Sequence, residues 1–205
     1  MTKEEFLSRV WGYYIMLENN FMDTFGYVEP VTENNDTFSK EYGKLLLSIG
    51  SEIDVVCKEL CKIIENKTAV DVSRYNVVNY KNVISGDGNF MNESCVYLIN
   101  GEVLQPWLEW NTVDSPSWWK NYNSLKHDRL NSDNYKLGNY SNVKDALSAL
   151  YIITRILYKK MFSFEPIPKS NLFQMKDWTT YNKVGNGFYN VLSSNGGISL
   201  VHFKE

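Results

Sequence analysis

Metal-binding chemistry has little to work with in this chain: there are two histidines and three cysteines, and no Cys/His pairs stand at ligand spacing. We therefore expect no metal and no cofactor. The cysteines, Cys57, Cys61 and Cys95, form an odd set, and the first two lie one helical turn apart in an apolar run. They read as buried free thiols, which suits a reducing cytoplasm. No stretch reaches the roughly 18 uncharged apolar residues of a spanning helix, so no membrane association is expected. The opening MTKEEFLSRVWGYY lacks the positive flank and uninterrupted apolar run of a signal peptide and reads as mature protein. The N-x-S/T matches at Asn35, Asn66, Asn92 and Asn139 then carry little weight.

Basic excess is missing too. Twenty-one Lys and Arg stand against 24 Asp and Glu, a net charge of -3, so any nucleic-acid contact has to be local rather than drawn in by a global basic field. No G-x-S-x-G elbow, Walker loop or H-E-x-x-H occurs. SGDGN (85–89) and VGNGF (184–188) contain G-x-G without the third glycine or a following amphipathic helix, and read as turns.

What is abundant is apolar and aromatic: 43% hydrophobic and 15% aromatic residues exclude disorder and supply a core without disulfides or metals. Thr2 and Glu5 have capping-box spacing, and Phe6, Val10, Tyr13, Leu17, Phe21 and Phe25 predict a first helix to about Gly26. Ser39 caps a second, with Tyr42, Leu45, Ile49, Ile53, Val56, Leu60 and Ile64 on its apolar face. The segment 66–92 reads equally as short helix or strand. Asn100-Gly101 predicts a type I′ hairpin, and Pro106 marks an edge strand.

Ser115-Pro116 predicts a third helix, capped by the serine and running to about Leu130; Val143, Ala146, Leu147, Leu150, Ile153, Leu157 and Met161 predict a fourth. FYNVLSS and ISLVHF form a second hairpin around Asn195-Gly196-Gly197. The expectation is an α+β, mainly α single domain, 1–205: a four-helix bundle-like core (about 2–163) with an inserted hairpin (about 94–110) and a C-terminal hairpin extension (about 164–205), both hairpins pairing in one small sheet.

The chemically promising stretch is WWKNYNSLKHDR (118–129) in the third helix. Asn123 and His127, four residues apart, share a face with Trp119, while Trp118, Tyr122 and Leu125 form the core face. His127 is suited to moving protons near neutral pH, Lys120, Lys126 and Arg129 to holding phosphate, and Asn123 to orienting the imidazole or a substrate. On the second helix Glu52 falls on a largely apolar stripe and needs a partner, for which His127 or its basic neighbours are the candidates. Ser48, Gly50 and Ser51 are small enough for another helix to approach closely. The bland reading of the same residues is a buried polar network that fixes helix register.

The helical pattern together with KNYNSLKH (120–127) resembles the HEPN superfamily over roughly 40–160. The resemblance implies a small helical bundle, often a dimer with two motif helices facing, and often a bacterial toxin or phage-defence component that cleaves RNA without a metal. The family signature is Arg, four to six residues, then His. His127 matches the histidine, and Lys120 stands where the arginine belongs, a point charge in place of a planar fork. Two readings follow: a non-catalytic interaction or ligand-binding protein of HEPN-like type, with a protein partner, or a metal-independent endoribonuclease acting on RNA through His127 and its basic neighbours.

Overall fold

Thr2 and Glu5 close the expected capping box, with Thr2 Oγ1 accepting the Glu5 N–H at 3.2 Å and Glu5 Oε2 accepting the Thr2 N–H at 2.9 Å. The computed structural model that shows this describes residues 1–205 apart from 89, 163–164, 179, 186–187, 193–196 and 203–205, and describes 180–185, 188–190, 192 and 201–202 by their backbone alone. Helix α1 (Lys3–Phe6) runs through a π turn (Leu7–Trp11) into α2 (Gly12–Asp23). The π turn carries an extra residue and rotates the following face, so Trp11 and Tyr14 are buried where unbroken helical spacing put Val10 and Tyr13.

Ser39 caps α3 (Lys40–Glu65) through a 3.0 Å bond from the Tyr42 N–H to its Oγ, and Asn66, at φ 53°, ends it in the left-handed conformation that asparagine tolerates. The ambiguous segment contains α4 (Val77–Ile84), which Asn76 and Asn79 cap reciprocally while Tyr80 and Ile84 are buried. Helix α6 (Tyr140–Met161), capped by Asn139, is covered around most of its circumference and packs along α3 as the central pair. Helices with apolar residues on every side belong inside a fold, and α6 is the axis of this one.

Helix α5 (Ser117–Asp128) departs from expectation at both ends. Pro116, not Ser115, occupies the capping position and has no side-chain acceptor; Glu109 substitutes, accepting the Ser117 N–H at 2.9 Å and the Ser117 hydroxyl. The helix stops at Asp128, leaving Leu130 93% exposed. Its inner side completes an aromatic wall: Trp107 lies 4.5 Å from Trp110 and 5.1 Å from Trp118, and Trp119 lies 5.3 Å from Tyr122 between ring centroids. Trp107 Nε1–H donates to the Ala149 carbonyl at 3.1 Å, which ties this wall to α6.

Strands β1 (Cys95–Tyr97) and β2 (Val103–Leu104) pair antiparallel, with β2 the edge strand that Pro106 implied. No two-residue turn joins them: the Leu98 N–H leaves to donate to Leu172, and the chain closes through Gly101 at φ 79°, its N–H donating to Tyr97. β1 is claimed on its other side by β3 (Phe173–Met175), giving the order β2-β1-β3.

Strands β4 (Thr180–Gly185), β5 (Phe188–Leu192) and β6 (Ile198–His202) form a separate antiparallel sheet, so the two hairpins do not share one. The expected turns at Asn195-Gly196 and within VGNGF (184–188), and Asn89 of SGDGN, lie outside the described residues. All three cysteines are free and buried, and among the described residues no helix is long and apolar enough to cross a membrane.

Candidate functional site

Helix α5 turns its polar stripe to solvent. Lys120 and His127 are exposed, Asn123 is half-buried, and Trp119, expected on the same face, is buried instead. Arg129 follows the helix end and is exposed, while Lys126 is exposed with its Nζ 5.4 Å from the Tyr122 ring centroid. The α5–α6 polar contact is made by Asn121, which donates to Asn142 Oδ1 at 2.9 Å. Glu52 is half-buried on α3, and neither it nor His127 has a hydrogen bond or ion pair among the described residues, so the partnership expected between them is not formed. The bland network is not formed by these residues either.

Burial without a partner pushes the Glu52 carboxyl up to about 7 from its ordinary value near 4.5. An acid whose pKa is higher folded than unfolded binds more protons in the folded chain, so stability falls as pH rises through 4.5 to 7. Asp145, pushed up to about 6 chiefly by burial with Lys144 opposing, contributes with the same sign. Glu52→Gln should remove about 1–2 kcal/mol of this loss, a figure already reduced for the partial exposure of the group. Urea midpoints at pH 4 and pH 8 test this: the variant should gain on wild type only at the higher pH, and equal pH slopes would refute it.

A different set of residues converges inward. Helix α6 presents Tyr151 and Arg155 one turn apart, the segment 165–170 brings Glu165, Lys169 and Ser170 opposite them, and β3 adds Phe173 and Gln174. With Leu98 these enclose a cavity of about 110 Å³. Arg155 Nη1 donates to Tyr151 Oη at 3.0 Å and Nη2 to Glu165 Oε1 at 3.2 Å, while Glu165 Oε2 lies 3.0 Å from Lys169 Nζ. The Arg155 and Glu165 side chains are only 8% and 11% exposed. Arg155 Nε is buried and has no acceptor among the described residues. The guanidinium lies 5.7 Å from the Tyr151 ring and 5.6 Å from that of Trp178, an indole anchored by a 2.7 Å bond from its N–H to Glu93. Burial pushes the Tyr151 hydroxyl well up, with the Arg155 charge opposing.

The fold holds this wall in place with a second buried acid. Glu18 is fully buried on α2 and accepts from the Tyr14 hydroxyl at 2.6 Å, the Ser170 hydroxyl, the Asn171 N–H at 2.9 Å and the Leu172 N–H at 3.3 Å. Trp11 Nε1–H adds a 2.6 Å bond to the Pro168 carbonyl. Together they pin the chain entering β3 against α2, which sets Ser170 at the cavity edge.

A larger groove of about 380 Å³ runs between the end of α2 and the start of α3, past Thr24, Tyr27 and Tyr42. Two of its polar groups are engaged locally, Lys44 with Glu41 at 2.9 Å and Thr24 with the Phe21 carbonyl at 2.6 Å, and none of its lining residues carries a buried polar atom without a partner. It thus lacks, among the described residues, the buried donor without an acceptor that the Arg155 cavity has. No group of His, Cys, Asp and Glu able to hold a metal is present among the described residues.

Sequence reasoning passed over Arg155 and Glu18, although each left a trace. Arg155 interrupts ALYIITRILY and Glu18 follows YYIML, lone charges in apolar runs that must be paired once buried. The argument applied to Glu52 applied to them with more force. Comparison with protein-family models, curated proteins and solved structures gives no match to this chain.

Proposed function

We propose that the chain is a non-catalytic ligand-binding protein on a HEPN-like helical scaffold, with the Arg155 cavity as its binding site. The supporting observation is a buried guanidinium that lines a cavity and whose covered Nε lacks an acceptor. Leaving such a donor without an acceptor costs about 1–3 kcal/mol, a penalty that an oxygen-bearing ligand would lift. Binding sites are typically apolar hollows with a few convergent polar groups, and Leu98, Tyr151 and Phe173 provide the apolar part here.

The endoribonuclease reading rests on a separate observation, the solvent exposure of His127, Lys120 and Arg129. Neither cavity described above includes any of the three. Their exposure would serve a nuclease only if a second copy, or the RNA itself, completed a site around them, and a role in bacterial phage defence belongs to this reading as much as to the first.

Purified chain incubated with a labelled, mixed-structure RNA in excess EDTA separates the two, with His127→Ala beside wild type and folding checked by circular dichroism. The binding reading expects no cleavage by either protein. Cleavage by wild type that vanishes in the variant would overturn it and put His127 at the centre of a nuclease.

A further inference from the structure

We propose, resting on the binding reading above, that the ligand of the Arg155 cavity is a small carboxylate and that Glu165 occupies its place as a built-in competitor. Nε and Nη2 of a guanidinium form one planar fork, whose natural complement is a pair of coplanar oxygens. In this fork only Nη2 is engaged, by Oε1 of Glu165 at 3.2 Å, and Nε is not. Glu165 does not close the fork because its other oxygen is held 3.0 Å from Lys169. The internal carboxylate is thus divided between two cations.

Because Nε is covered, an incoming carboxylate reaches the Nε–Nη2 fork only by displacing Oε1 from it. Glu165 keeps its bond to Lys169, whose side chain is 46% exposed against 8% for Arg155, so the displaced acid moves toward the cavity mouth with its charge still paired. The exchange replaces one carboxylate divided between two cations by two carboxylates, each paired with one cation. A cavity of about 110 Å³ limits the guest to a few heavy atoms. Leu98, Phe173 and the Tyr151 ring, 5.7 Å from Phe173 between centroids, offer apolar contact to a short hydrocarbon tail on one side of the charged end. Inorganic phosphate can also engage the fork through two oxygens, but it carries no such tail.

The full chain, labelled with nitrogen-15, is titrated with acetate, propionate and inorganic phosphate at constant ionic strength, and the Arg155 Nε–H resonance is followed together with the backbone. Wild type, Glu165→Gln and Arg155→Lys are compared, with melting curves establishing that each is folded. Propionate should shift the Arg155 Nε–H, bind Glu165→Gln about tenfold more tightly than wild type, and bind Arg155→Lys at least about tenfold more weakly. Should Arg155→Lys not fold, the tightening in Glu165→Gln, which keeps the shape of the side chain, carries the test alone. Binding to wild type with no tightening in Glu165→Gln overturns the competitor and leaves the binding reading standing. Phosphate binding as tightly as propionate overturns the carboxylate class. Failure of all three anions on wild type and on Glu165→Gln overturns both this inference and the binding reading on which it rests.

Discussion

Replacing Glu18 with alanine is expected to lower the stability of the folded chain by about 3–5 kcal/mol, because four buried or partly buried donors then lose a shared carboxylate acceptor at once and a void opens beside them. The donors are the Tyr14 and Ser170 hydroxyls and the Asn171 and Leu172 backbone N–H groups, and the carboxylate that serves them has no solvent exposure. For a chain of this length each kcal/mol shifts the melting temperature by roughly 2–4 °C, so a fall of about 10 °C is the measurable outcome. Glu18→Gln keeps the shape but turns an NH₂ group toward donors, and should fall between wild type and alanine. The loss is not only one of stability. Glu18 holds the segment that brings Ser170 to the Arg155 cavity, so the alanine variant should also bind propionate more weakly at temperatures where it is still folded. A melting temperature unchanged from wild type would remove Glu18 from its proposed place as the latch between α2 and the entry to β3.

The second large effect is expected at the glycines that let chain segments touch along α3. A methyl group added at Gly138 would lie 2.5 Å from the Cα and 2.7 Å from the N of Gly43, and one added at Gly50 would lie 2.4–2.6 Å from ring atoms of Tyr122. Backbone cannot rotate aside, and the Tyr122 ring is itself buried against Trp119. Gly138→Ala and Gly50→Ala should each cost about 2–3 kcal/mol, the range of overpacked sites in tight interiors. Urea unfolding monitored by tryptophan fluorescence measures it, since Trp118 and Trp119 sit in the same seam. The Gly138 variant is the sharper test, because backbone opposes it rather than a side chain. If both variants unfold at the wild-type midpoint, the close approach along α3 is not what holds α5 in place.

Much of the helical framework was legible without any structure. Thr2 with Glu5 and Ser39 act where their spacing placed them, and the apolar repeats of α3 and α6 lie on buried faces, because capping and helical periodicity are decided within a few residues. Gly50 was read as a packing position and meets Tyr122. Local rules failed where a local irregularity intervened. The π turn at Leu7–Trp11 brought Trp11 and Tyr14 onto the face expected for Val10 and Tyr13, and Glu109, eight residues away, took over the capping of α5 from Ser115.

The candidate site divides in the same way. That Asn123 and His127 share a helix face followed from their spacing, but which way that face points depends on where α5 lies against α3 and α6, and Lys120 and His127 turned out to face solvent. Glu52, read as falling on a largely apolar stripe that demands a partner, is half-buried, and no partner reaches it among the described residues. The sequence by itself determined the long helices, the caps at Thr2 and Ser39, the buried thiols and the α+β, mainly α class. Only the tertiary structure decided that β1 pairs with β3 rather than with the terminal hairpin, that Glu18 meets residues more than 150 positions later, and that Arg155, Glu165 and Lys169 enclose one cavity. The reason is physical: periodicity reports which side of an element is apolar, whereas the pairing of a buried charge is settled by whichever distant segment the packed core brings within hydrogen-bond reach.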